Sequence, residues 1–172
     1  MRFEDFEYKR VDIEEAKRKI FKLIEDFSNS DSYENQCFVI DEINEIRNEF
    51  ISMKVICELR KYLGINKEFY SKEMEYYADA EPIMDGLICE YYKALDSSKF
   101  KKMLKCRYGN QLFDLAKMKM RCVSDEIIEE LQQEKKLILE YVEMVQSFNK
   151  KFQGKILGRW DRELMKHKQK YI

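Results

Sequence analysis

The side chains that most often do chemistry are scarce in this sequence. Its one histidine, His167, lies five residues before the end of a 172-residue chain, inside the lysine-rich run Met165 to Lys170. A zinc peptidase helix of the H-E-x-x-H kind needs two imidazoles one turn apart and a carboxylate, whereas residues 167–171 read His-Lys-Gln-Lys-Tyr. A histidine-activated serine or cysteine also needs a third group to orient the base, which a lone imidazole near the terminus does not provide. The five cysteines, at 37, 57, 89, 106 and 122, are at least sixteen residues apart and form no C-x-x-C pair. They read as small buried hydrophobes. Asp41, Glu42 and Glu45 cluster on a helical face among lysines, where solvation is the ordinary role of carboxylates. No residue is assigned as catalytic, cofactor-binding or metal-ligating.

What remains is surface chemistry. Tyr76-Tyr77 and Tyr91-Tyr92 flank the only proline, Pro82. Amphipathic phenols of this kind suit a peptide-binding wall, with one member of each pair turned to the core because helical neighbours point about 100° apart. The segment 99–121 carries eight basic residues against one acid, Asp114, with Phe100 and Tyr108 interleaved. That pattern would suit phosphates and stacked bases, but two short helices with basic outer faces are its ordinary explanation and the one adopted. Residues 1–98 carry a net −9 and residues 150–172 a net +6, and the acidic front disfavours nucleic acid as a partner. The odd cysteine count, the absence of a signal-peptide pattern and the lack of an apolar run near eighteen residues predict a soluble, cytoplasmic protein without a membrane segment.

The elements that position these groups are predicted to be all-α. Asp12, with Glu15 three residues on, opens a helix over 12–27, and Ser28 to Ser32 turn the chain. A second helix over 33–63 buries Cys37, Ile40, Ile43, Phe50, Met53 and Cys57, and Gly64 ends it. Asn66 caps a third, antiparallel helix over 67–95, with a kink near Glu81 imposed by Pro82. Ser98 caps a short helix to Arg107, and Gly109-Asn110 lead into another over 111–122. Ser124 caps a final long helix with the stripe Ile127, Leu131, Ile138, Tyr141, Val145 and Phe148. Residues 152–158, with two glycines, suit a small β-hairpin or an irregular turn, and Asp161 opens a last helical piece through Lys168. The division expected is a helical lobe over 1–152 and a short irregular or helical extension over 153–172.

Several stretches of text then carry a resemblance. They are Glu7-Tyr8-Lys9-Arg10 with Asp12, Ile43 to Phe50, Glu68-Phe69-Tyr70, Tyr92 to Leu95 followed by Ser98-Lys99-Phe100, Tyr108 to Phe113 with Leu115-Ala116, and Glu126 to Gln132 with Glu134. Collinear over residues 3–152, they resemble the N-terminal region of oligoendopeptidase F-like zinc metallopeptidases, in the thimet oligopeptidase-like clan. The resemblance implies a helical lobe that walls a deep cleft for short peptides, with zinc held far downstream in a separate catalytic region. Arg60 to Ile65 replace a polar Arg-His-Thr-type stretch of that family, and the connection after Phe152-Gln153-Gly154-Lys155 is shortened. The expectation is a truncated, noncatalytic lobe without a cofactor of its own. Tyr76, Tyr77, Tyr91, Tyr92 and Trp160 are its candidate peptide or partner surface. The alternative is a free-standing helical interaction module or self-associating bundle, which exposes an apolar patch of Ile156, Leu157, Trp160, Leu164 and Met165.

Overall fold

Asp12 ends an extended N-terminal segment and starts the first helix, its carboxylate accepting from the backbone N–H groups of Glu14 and Glu15. A computed structural model describes residues 6–121 and 127–147, together with the backbone of 150–152 and 155–157. The predicted cap Ser124 and the predicted helical piece at Asp161, with Trp160, His167, Phe148 and Cys122, lie outside the described residues. Helix α1 (Ile13–Asn29) buries Ile13, Ala16, Ile20 and Phe27 on one stripe. Glu15 does not reach back to complete a capping box but pairs forward with Lys19 at 2.6 Å.

Helix α2 (Tyr33–Tyr62) and helix α3 (Lys67–Asp96) are each 30 residues long, about 45 Å at about 1.5 Å per residue. Between them Gly64, at φ +77°, closes a Schellman turn: its N–H donates to the Lys61 carbonyl and that of Ile65 to the Arg60 carbonyl. Asn66 does not cap α3 with its side chain, contrary to expectation. It sits in the left-handed region at φ 40° with no side-chain cap bond, so its contribution is tolerance of that conformation.

Helix α3 is the axis of the first unit, residues Met1–Lys135, and packs against α1, α2 and the later helix Asn110–Lys119. Half of its residues are buried, and beyond Ala78 they lie on every side, the pattern of a helix surrounded by others. It remains helical through Pro82, whose missing N–H cannot meet the carbonyl of Ala78. In the same turn the Asp79 carbonyl accepts from Gln132 Nε2 at 2.8 Å, and Glu81 pairs with Lys54 at 2.5 Å and Lys135 at 2.9 Å. The proline turn is thus where Gln132 and Lys135 fasten to α3.

Two short helices follow, α4 (Lys101–Tyr108) and α5 (Asn110–Lys119), inserting Leu104, Phe113 and Ala116 into the core. Ser98 does not cap α4, whose first flanking residue is Phe100. Its hydroxyl donates to Gln36 Oε1 at 2.6 Å and accepts from the Phe100 N–H, tying the end of α3 to the start of α2. Met53 in α2 is only half-buried, and Ile56 and Arg60 extend the buried face instead.

Helix α6 (Ile128–Ser147) leads into a second unit, Lys136–Ile172. There strands β1 (Lys150–Phe152) and β2 (Lys155–Leu157) pair antiparallel, with Lys151 opposite Ile156. Of the hairpin and the irregular turn allowed for residues 152–158, the structure has the hairpin, beginning two residues earlier at Lys150. The stripe assigned to α6 differs from expectation: Ile138 and Tyr141 are exposed, and Leu131 and Val145 only half-buried. No helix among the described residues is long and apolar enough to cross a membrane.

Candidate functional site

The four tyrosines singled out in the sequence belong to the core and its seams more than to a wall. Tyr77, Tyr91 and Tyr92 are all buried, and only Tyr76 is partly open. One member of the first pair faces inward as expected. In the second pair both do, because α1, α2 and α5 surround that end of α3. Phe27 meets the Tyr91 ring edge-on at 6.4 Å, and Arg47 Nη1 donates to the Tyr92 hydroxyl at 3.2 Å. The Tyr91 hydroxyl has no protein partner, and burial raises its pKa. These phenols therefore offer no continuous surface to a peptide.

The densest polar network lies at the other end of α3, and sequence reasoning missed it. Residues 6–12 form a strap along the seam between α2 and α3. Glu73, on the buried stripe with Tyr70 and Tyr77, accepts from the Tyr8 hydroxyl at 2.5 Å and from Arg10 Nε at 2.9 Å, and Arg10 Nη2 bonds its second oxygen. Arg60 reaches from α2 to the Phe6 carbonyl and to the Tyr70 hydroxyl. The Tyr76 hydroxyl donates to the Val11 carbonyl at 2.7 Å and accepts from the Ile13 N–H at 2.9 Å.

The electrostatics follow the geometry. Arg10 holds the Glu73 carboxyl below its ordinary value against the opposing cost of burial, with Tyr8 assisting. Burial and the bond to Glu73 push the Tyr8 phenol upward. Cys57, fully buried nearby, has its thiol pushed up to about 12, mainly by burial, which makes it inert as a nucleophile at neutral pH. An isolated carboxylate on a stripe of tyrosines, together with Tyr8 and Arg10 two residues apart, was the available signal.

The basic segment is largely neutralised. Lys101 pairs with Asp96 at 2.6 Å, Lys119 with Asp85 at 3.6 Å and Arg107 with Asp41 at 3.7 Å, and Lys99 pairs with Asp31. Lys105 lies over the Phe113 ring. Tyr108 turns its hydroxyl to Asp41 and the Cys37 carbonyl, and Arg107 lies over its ring. An open cleft of about 480 Å³ at the joint of α1, α2 and α3 is lined by Ser28, Gln36, Ser97 and Ser98, whose side chains bond to one another or to nearby carbonyls.

This helical arrangement has close counterparts among known proteins. A model of the peptidase M3 N-terminal domain matches residues 3–123. The chain belongs to the peptidase M3 family. Within that family it is similar to PZ peptidase A, solved with an inhibitor, at 34% identity and TM-score 0.89 over 98% of this chain. An oligoendopeptidase F from Bacillus anthracis str. Ames is 38% identical over 91% of the chain, with TM-score 0.86. A further structure described as oligoendopeptidase F gives 34% identity and TM-score 0.87 over the same share. The comparison with curated proteins finds no match. This M3 chain spans only 28–32% of the length of those three relatives and corresponds to their N-terminal domain.

The metal of the family finds no seat in the described part. Among the described residues no group of three or more His, Cys, Asp or Glu is arranged to hold an ion. Buried Glu73 and half-buried Glu81 are committed to Arg10, Lys54 and Lys135. Separate carboxylates already paired with cations do not make the set of three or more converging ligands that zinc takes.

Proposed function

We propose that this chain is a noncatalytic lobe of an oligoendopeptidase F-like peptidase, contributing to the cleft that receives a short peptide and leaving the zinc chemistry to the part of the fold it lacks. The observation that carries this reading is the likeness over 91–98% of the chain to relatives of which it spans less than a third. The free thiols of Cys37, Cys57, Cys89 and Cys106 support a reducing, cytoplasmic setting. Incubating the purified chain with zinc and a quenched fluorogenic peptide is expected to give no turnover above the blank. Cleavage that a chelator abolishes overturns the reading.

A second reading is favoured by one specific feature, the outward face of α2. Ile51, Val55, Leu59 and Tyr62, exposed by 43–77%, form a stripe opposite the buried one, a pattern that suits burial against a partner protein or a second copy. Light scattering across a hundredfold concentration range decides it for the second copy: a rising mass supports self-association, and a constant monomer mass removes it.

A further inference from the structure

The strap is held in a way that sets it apart from the helices. Of residues 6–12 only Tyr8 and Val11 are half-buried, and the others are exposed, so little apolar area fixes it. Its attachment is polar and alternating. Tyr8 and Arg10, two residues apart and therefore on one side of an extended segment, converge on buried Glu73. The backbone on either side is met by Arg60 at the Phe6 carbonyl and by Tyr76 at the Val11 carbonyl. Phe69 and Tyr70 present ring edges to Tyr8 at 6.1 and 5.4 Å. Beneath lies the Tyr77 hydroxyl, buried with no partner in hydrogen-bond geometry.

These are the parts of a peptide-recognition site: a buried carboxylate, an aromatic slot for a phenol, and polar groups spaced to grip an extended main chain. The chain's own N-terminal segment occupies it. We propose that the seam between α2 and α3 is a receptor for an extended peptide carrying a tyrosine and an arginine two residues apart, and that residues 6–11 are its tethered, self-supplied occupant. The specificity lies in Glu73, which accepts from both side chains at once. The tether keeps the occupant at an effective concentration on the order of millimolar, so a free peptide enters when the strap is weakened or when the peptide itself is millimolar. This site stands apart from the cleft-forming role proposed above and survives if that role fails.

The test uses the whole chain and a fluorescein-labelled hexapeptide with the sequence of residues 6–11. The variant carrying Tyr8→Ala and Arg10→Ala, whose own strap has lost its grip, is expected to bind the hexapeptide at least about tenfold more tightly than the unmodified chain, as measured by anisotropy. Adding Glu73→Gln to that variant is expected to lose at least about tenfold of the affinity, as is changing the Tyr and Arg of the peptide to Ala. Equal binding by unmodified and double-variant chains, or indifference to Glu73→Gln, overturns the proposal. Should the double variant fail to fold by circular dichroism, hydrogen exchange on the unmodified chain decides the matter. Millimolar hexapeptide should then speed exchange of the Lys9 and Ile13 amides, which donate to Met53 and Tyr76, while leaving those of α3 unchanged, and unaltered exchange at both overturns the site.

Discussion

Tyr76-Tyr77 and Tyr91-Tyr92 are the same dipeptide fifteen residues apart on one helix, and the structure uses them in opposite ways. At the first, one phenol goes inward and the other clips a passing strap through two hydrogen bonds. At the second, both rings are consumed by packing, and the Tyr91 hydroxyl is buried without a partner. A side chain's chemistry is therefore set less by its type than by how many neighbouring elements its helix has at that level. Near Tyr76 the helix borders α2 and a strand of coil; near Tyr91 it is enclosed.

The contrast can be broken most severely at the enclosed end. Tyr91→Ala should lower stability by about 3–5 kcal/mol through the cavity left among Phe27 and Tyr92, measured by urea denaturation. At the strap end Glu73→Gln should cost about 1–3 kcal/mol, since Arg10 is half in water and part of its interaction is screened. The loss should appear first as faster exchange of the Lys9 and Ile13 amides, and simultaneous deprotection of the whole bundle would contradict a separable strap.

Acid should imitate that substitution. The Glu73 carboxyl is held below its ordinary 4.5 by Arg10, so the contribution is complete above that pH and disappears as pH falls through the lower folded-state value. Glu81 behaves alike: burial works to raise its carboxyl, but Lys54 and Lys135 outweigh it and hold it low. A stability profile flat from pH 7 to pH 3 would show that neither ion pair contributes. A gentler contrast comes from the hydroxyls alone. Tyr76→Phe should cost about 1–2 kcal/mol for its two hydrogen bonds. Tyr91→Phe, which removes a hydroxyl with no partner, should leave the melting temperature unchanged or slightly raised.

The parts of the fold legible in the sequence are those governed by local rules. Asp12 as a cap, Gly64 as a stop and the glycine-bearing hairpin each depend on a few adjacent residues, and each stands where expected. Ser98 and Asn66 show the limit of such rules. Both are good capping residues, but Ser98 is drawn to Gln36 from a distant helix and Asn66 is needed for its left-handed backbone. The second tyrosine pair defeats a sequence reading for a deeper reason, since the 100° argument assumes one apolar neighbour per helix and α3 has several. Glu73 escapes it because its partners lie 63 and 65 residues away, and nothing local marks a carboxylate as buried. On α2 two apolar stripes share one helix, so periodicity alone does not say which faces inward.

The proline turn of α3 determines where this domain can be cut. The family match ends at residue 123, but the group that meets the Asp79 carbonyl and the second cation on Glu81 come from Gln132 and Lys135. A polypeptide trimmed to the matched residues would lose both partners at the one place where α3 already lacks an N–H. The smallest piece that keeps this helix whole therefore extends through Lys135.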